Sequence, residues 1–175
     1  MKQFASFSKK WLLLTDLHLN RDTSWDSKVV QNIREAGPGY GVIVMGDFLD
    51  YNMTFAEAFM IHRELFEALS QRNTIFLKGN CDTKVFSSYR AVIIYLESSN
   101  ITIKHGHTFS NSFMNFLKKP RKLINSSSTL KMVKKINKKQ NLIIGHYHFE
   151  YINPIKKVAI LSPRKVYRLD EVLDV

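Results

Sequence analysis

Asp16 and His18 stand two residues apart just after the apolar run WLLL (11–14), and donor-type residues follow four further apolar runs in the same way. VIVM (42–45) leads into Gly46-Asp47-Phe48-Leu49-Asp50, and TIFL (74–77) into Lys78-Gly79-Asn80-Cys81-Asp82. ITI (101–103) leads into Lys104-His105-Gly106-His107, and LII (142–144) into Gly145-His146-Tyr147-His148. Carboxylate, carboxamide and imidazole are metal-ligand chemistry. A set made of Asp16, His18, Asp47, Asn80, His105, His146 and His148, with no thiolate, suits Mn²⁺ foremost, and Fe, Zn²⁺ or Ni²⁺, rather than Ca²⁺. Seven donors exceed what one tetrahedral zinc can use. They suit two divalent cations sharing one carboxylate, about 3.5–4 Å apart, as in two-metal phosphatases and nucleases. Two such ions, two aspartates and a bridging hydroxide leave about +1 in the pocket, which attracts phosphate.

These donors can meet only if the apolar runs are strands of sheets sharing one edge. In open α/β sheets, sites form beyond the carboxyl ends of strands. Where extended geometry persists past a strand, residues two apart point the same way, which pairs Asp16 with His18 and His146 with His148. The glycines before Asp47, Asn80 and His146 permit tight turns. WLLL reads as the first core strand, AVIIYL (91–96) as another, and VAIL (158–161) with KVYRL (165–169) as a closing pair. Helices are expected over 24–36, ended by Gly37-Pro38-Gly39, and over 54–71. In the second, Phe55, Phe59, His62, Phe66 and Leu69 recur at helical spacing, and Thr54 with Glu57 makes a capping-box pattern. His62, the one histidine outside the motifs, reads as structural. Alternating strands and helices predict an α/β fold; the strands without intervening helices around 91–103 and 157–169 predict a second sheet packed on the first.

DxH, GDxxD, GNxD, a later HGH and GHxH, in this order, resemble the calcineurin-like metallophosphoesterases over roughly residues 11–149. The resemblance implies an αββα two-sheet sandwich forming a single domain over 1–175, with the metal site at the carboxyl ends of the strands. It implies that Asp16, His18, Asp47 and His148 hold one ion. Asp47, Asn80, His105 and His146 would hold the other, with Asp47 bridging. A water between the ions, its pKa lowered, would attack phosphorus in line with the leaving oxygen. Asp50, Asp82 and His107 are implied to support the ligands or orient substrate. From the residues alone, Asp50 reads equally as a cap of the following helix, and His107 also as a packing residue. Cys81 occupies the position where many relatives carry a histidine thought to protonate the leaving group. Small phosphodiesterase-like members are similar in having GNCD, so the expected substrate is a phosphodiester or pyrophosphate, on a small molecule or nucleotide, rather than a phosphoprotein. TDLHLN and GDFLDYN are also similar to strings in UDP-diacylglucosamine pyrophosphohydrolases, although Leu161-Ser162-Pro163-Arg164 replaces their usual ending. A phosphomonoesterase and a non-catalytic scaffold on the same fold are the alternatives.

The chain of 175 residues carries a net charge of +11. Lys118, Lys119, Arg121, Lys122, Lys131, Lys134, Lys135, Lys138 and Lys139 supply nine of those charges, inside a cap-like segment at about 112–140. Between Ser98 and Phe149 there is no acidic residue. The segment reads either as a solvated helix face with a partial apolar stripe (Leu130, Val133, Ile136), or as an anion-gripping cap for nucleic acid or an acidic surface. The single cysteine, Cys81, excludes an internal disulfide framework and a multi-cysteine zinc site, and suits a reducing cytoplasm. No apolar run approaches the ~20 residues needed to span a bilayer. Oligomeric state has no signature in the sequence.

Overall fold

The computed structural model describes residues 2–6, 10–82, 89–95, 100–106 and 133–173. His107 and most of the basic segment, residues 107–132, lie outside them.

In chain order the elements are β1 (Lys2–Ser6), β2 (Trp11–Leu14), α1 (Asp26–Glu35), β3 (Gly41–Val44), α2 (Phe55–Ile61), α3 (Arg63–Ser70), β4 (Thr74–Phe76), β5 (Tyr89–Tyr95), β6 (Asn100–Lys104), β7 (Leu142–Ile144), β8 (Tyr151–Asn153), β9 (Val158–Ile160), β10 (Val166–Arg168) and α4 (Leu169–Leu173). They form two mixed sheets. One has the order β10-β2-β3-β4, with β2, β3 and β4 parallel and β10 antiparallel to β2. The other has the order β1-β5-β6-β7-β9-β8, in which β6, β7 and β9 run parallel.

Strand alternation places the core. Trp11, Leu13 and Ile43 face inward between the sheets, where they join Ile103, Ile143 and Ala159. Leu12, Leu14, Val42 and Val44 point outward and are covered by Val29, Val30 and Ile33 of α1 and Leu65, Ala68 and Leu69 of α3. On the far side, Leu142, Ile144, Val158 and Ile160 of the second sheet are covered by Ile136, from a helical turn at 133–136. With both faces of each sheet buried, the strands read as continuous apolar runs. The result is the αββα sandwich. Within the basic segment Ile136 is buried while Lys134, Lys135, Lys138 and Lys139 are exposed.

Several expectations need correction. WLLL is preceded by β1, which lies beside β5 in the other sheet. The runs at 158–161 and 165–169 do not pair with one another: β9 joins β7 and β8, whereas β10 crosses to β2, and Leu169 already begins α4. The segment 54–71 is two helices, broken at His62. There the buried imidazole meets Asp26 Oδ2 through Nδ1 and the Asn20 carbonyl through Nε2, each at 2.6 Å. The Thr54–Glu57 capping box is present in both directions. Of the residues at helical spacing, Phe55 and Phe59 are exposed.

Because Ile43 is fully buried between the sheets, Ile43→Ala should lower unfolding free energy by about 2–5 kcal/mol. Ile155→Ala, at a side chain 95% exposed, should stay within about 0.5 kcal/mol. Urea denaturation followed by circular dichroism measures both.

Candidate metal centre

The parallel registers set the ends of β2, β3 and β4 level, Leu14 beside Val44 and Val44 beside Phe76. In the other sheet Lys104 lies beside Ile144. The chain leaves both sheets at the same end, and the following loops converge. The loops after β2 and β3 continue to zip together: the N–H groups of Asp16, His18 and Leu19 donate to the carbonyls of Gly46, Asp47 and Phe48 at 3.2, 2.9 and 2.9 Å.

The backbone there is not extended. Asp16, His18, Asp47, His146 and His148 all have positive φ, between 45° and 75°. Such conformations are uncommon for non-glycine residues and cluster at functional sites. The DxH and HxH pairs therefore share a side through left-handed turns rather than through strand alternation. Gly46, at φ +95°, makes the kind of turn expected of it. Gly79 and Gly145 serve another purpose: a Cβ at 79 would fall on the Asp47 backbone nitrogen, and one at 145 on the Thr15 hydroxyl and Asp16 carboxylate.

Each buried aspartate has one oxygen engaged by the protein and the other turned to the centre. Asp16 Oδ2 accepts from the Thr15 hydroxyl and from His146 N–H at 2.7 Å. Its Oδ1 has no hydrogen-bond partner and lies 3.5 Å from His148 Nε2 and 4.0 Å from His18 Nε2. Asp47 Oδ1 accepts from Cys81 N–H at 2.8 Å, while Oδ2 faces His105 Nε2 at 3.2 Å and His18 Nε2 at 3.9 Å. Burial alone would raise both carboxyl pKa values. The nearby His148 and His105 imidazoles, with the hydrogen bonds from Thr15 and His146 N–H, outweigh it for Asp16, and His105 holds Asp47 well below the usual carboxylate range.

His105 Nδ1 lies 2.9 Å from the Met45 carbonyl, which can only accept, so that nitrogen carries hydrogen. In the neutral ring Nε2 is then a bare lone pair. It points at Asn80 Oδ1 (3.1 Å), Asp47 Oδ2 (3.2 Å) and His146 Nδ1 (3.1 Å). Without a cation these donors leave lone pairs facing each other. The protein compensates by favouring a proton: burial lowers the His105 pKa, but Asp47 and Asp16 more than reverse it. The separations fit a metal in its place, since ligand bonds of about 2.0–2.2 Å imply ligand-to-ligand edges near 3.0–3.5 Å. At His18, burial outweighs the nearby aspartates and lowers the pKa, which favours the neutral, ligating imidazole. His18 Nε2 is buried without a hydrogen-bond partner.

Among the described residues, three groups of side chains bring potential ligand atoms within 4.8 Å of one another: Asp16 with Asp47, His105 and His146; Asp16 with His18 and His148; and His18 with Asp47 and Cys81. In the last, burial pushes the Cys81 thiol pKa up. Asp82 faces inward instead: Oδ1 accepts from Phe48 and Leu49 N–H at 2.9 and 3.2 Å, and Oδ2 from Gly79 N–H at 3.1 Å. It straps the loops after β3 and β4 together. Asp50 does not cap α2, a role taken by Thr54; it accepts from Tyr51 N–H at 2.7 Å. Sequence reasoning passed over Thr15, whose only signal is its place before Asp16, and Tyr51, whose hydroxyl accepts from Asn80 Nδ2 at 3.0 Å. It also passed over Arg164, whose backbone and guanidinium hold the Thr15 and Leu17 carbonyls, each at 3.3 Å.

Among solved structures, the protein of unknown function AQ665 from Aquifex aeolicus is 17% identical, with 93% of this chain and 96% of that chain covered and a TM-score of 0.53. At that identity the likeness speaks for the fold alone. A conserved uncharacterized protein of Streptococcus pneumoniae TIGR4, titled a predicted phosphoesterase, is 18% identical over 90% of this chain and 76% of its own, with a TM-score of 0.41. Vps29 of Chaetomium thermophilum is 14% identical over 93% of this chain and 76% of its own, with a TM-score of 0.46. No curated protein matches the chain in sequence. The family model described as the calcineurin-like phosphoesterase superfamily domain matches residues 10–169. A match over nearly the whole chain, with ligand-type side chains from five strand ends gathered at one place, establishes that this chain belongs to the calcineurin-like phosphoesterase superfamily.

Proposed function

We propose that the protein is a two-metal phosphoesterase acting on phosphodiester or pyrophosphate bonds. One observation carries the reading: the Nε2 of His105 converges with Asn80 Oδ1, Asp47 Oδ2 and His146 Nδ1 at 3.1–3.2 Å, an arrangement a cation completes. Asp16 Oδ1, His18 Nε2 and His148 Nε2 converge beside it, and Asp47 Oδ2 faces both groups. In this reading Asp16, His18, Asp47 and His148 hold one divalent ion, and Asp47, Asn80, His105 and His146 hold the other. Mn²⁺ is the first choice. Bound there, two such ions supply an activated water and neutralise charge on a phosphoryl group. Two carboxylates against two divalent cations leave the pocket cationic, which recruits anionic substrate.

The chain's own groups narrow the substrate. Cys81 Sγ lies 3.9 Å from His18 Nδ1, beside the ligand set, and a thiol is only a weak hydrogen-bond donor. Leaving groups that need full protonation are disfavoured, which supports diesters and anhydrides over alkyl phosphomonoesters. Asp82 takes no part in contacting substrate here; it fixes the Asp47 and Asn80 loops relative to one another.

Calorimetric titration with Mn²⁺ should find two ions per chain. Asp47→Asn should weaken binding of both by more than about 100-fold, beyond the 10–100-fold typical of supporting partners. Loaded with Mn²⁺, the protein should hydrolyse an aryl phosphodiester faster than the matching monoester and stop on chelation, and Cys81→His should shift the balance toward the monoester. Strong monoester preference in the parent overturns the diester assignment; two bound ions with no turnover of either favour a binding scaffold. Gly145→Ala, which drives a methyl group into the Thr15 hydroxyl that holds the Asp16 carboxylate, should fold yet lose about tenfold or more in Mn²⁺ affinity, measured in the same titration.

A further inference from the structure

Tyr51 projects from a turn tied down at its start. Asp50 N–H donates to the Leu19 carbonyl at 3.0 Å, Asp50 Oδ1 accepts from Tyr51 N–H at 2.7 Å, and Met53 N–H closes the turn onto the Asp50 carbonyl at 3.1 Å. The Tyr51 side chain is 68% exposed. Its hydroxyl is nevertheless fixed, accepting from Asn80 Nδ2 at 3.0 Å, while Asn80 Oδ1 lies 3.1 Å from His105 Nε2 on the inner side. The hydroxyl is thus a single amide group away from the ligand donors, on the side open to solvent. Its oxygen is occupied as an acceptor, and its hydrogen meets only the weakly accepting Cys81 sulfur, so that hydrogen can be given to a stronger acceptor. Cys81, the other side chain touching Asn80 Nδ2, at 3.5 Å, offers only a weak S–H donor.

We propose that Tyr51 donates a hydrogen bond to the departing oxygen of the substrate. The proposal rests on the phosphoesterase reading above. Hydrolysis consumes one water, whose oxygen bonds to phosphorus. The bond from phosphorus to the leaving oxygen breaks with its electron pair remaining on that oxygen, and the leaving group departs with one of the water's hydrogens. Tyr51 O–H meets the charge that builds on the oxygen before that hydrogen arrives, and fixed donors aimed at developing charge act chiefly on the transition state. The benefit grows with the basicity of the leaving group. This extends the enzyme to diesters with phenol leaving groups, beyond those activated enough to leave unaided.

The test compares wild type and Tyr51→Phe, both Mn²⁺-loaded, on methyl 4-nitrophenyl phosphate and methyl phenyl phosphate, with Mn²⁺ titration calorimetry on each protein. The expected result is a kcat loss of about 100-fold on the phenyl ester, the scale of one lost transition-state donor, and a several-fold smaller loss on the nitrophenyl ester. Mn²⁺ stoichiometry and affinity should be retained. Equal losses on the two esters, or no loss on either, overturn the role of Tyr51. So does loss of an ion in Tyr51→Phe, which makes Tyr51 a positioning residue for Asn80. Absence of wild-type turnover on both esters overturns the phosphodiesterase reading and this proposal together.

Discussion

Two carboxylates buried side by side, each with one oxygen held by the protein and one turned to a common centre, set the terms for everything around them. A buried charge is costly unless it is paired and hydrogen-bonded. Asp16 and Asp47 obtain part of that compensation from N–H groups of other loops, His146 for the first and Cys81 for the second. The first bond joins loops from the two sheets and the second joins neighbouring loops of one sheet, and both form where the backbone is left-handed at Asp16, His18, Asp47, His146 and His148. Such conformations cost on the order of 1–3 kcal/mol each and persist only where the surroundings over-determine them. Here the inter-loop hydrogen bonds, the Asp82 strap and the absent side chains of Gly79 and Gly145 do so.

The donor residues and the strands that end at them were legible because both signals are local. An apolar run of strand length followed by Asp, Asn or His is visible in a dozen residues, and the structure brings Asp16, His18, Asp47, Asn80, His105, His146 and His148 to one end of the two sheets. What escaped depends on distant partners. The break at His62 has no glycine or proline to announce it; it arises where a ring reaches Asp26 and Asn20, roughly forty residues earlier in the chain. The left-handed turns carry no composition signal either, since a pair spaced by two reads naturally as strand alternation. Tyr51 was invisible for a similar reason: a tyrosine in a polar loop is unremarked until its hydroxyl is seen against Asn80. The second sheet was expected, but the assignment of 165–169 to it was not met, because adjacency in sequence says nothing of which sheet an antiparallel strand will join.

Where the chain departs from a plain reading of its motifs, the departures gather around Asn80. Its amide is held from the outside by Tyr51 and flanked by the Cys81 thiol, while its oxygen looks inward to His105. The Tyr51 contact joins the turn after Asp50 to the loop after β4.

The crossing of β10 to β2 also bears on how the molecule is made. Residues 12–14 wait for residues 166–168, and Lys2–Ser6 wait for the strand at Tyr89–Tyr95. Early segments of the chain are therefore synthesised long before their partners, and contacts of such sequence separation slow folding. Until β10 arrives, β2 presents an open apolar edge of the sort that pairs with other chains. Nascent or truncated chains of this protein would thus depend on being shielded, and the interval between synthesis of the second strand and of the last is when the fold is most exposed to misassembly.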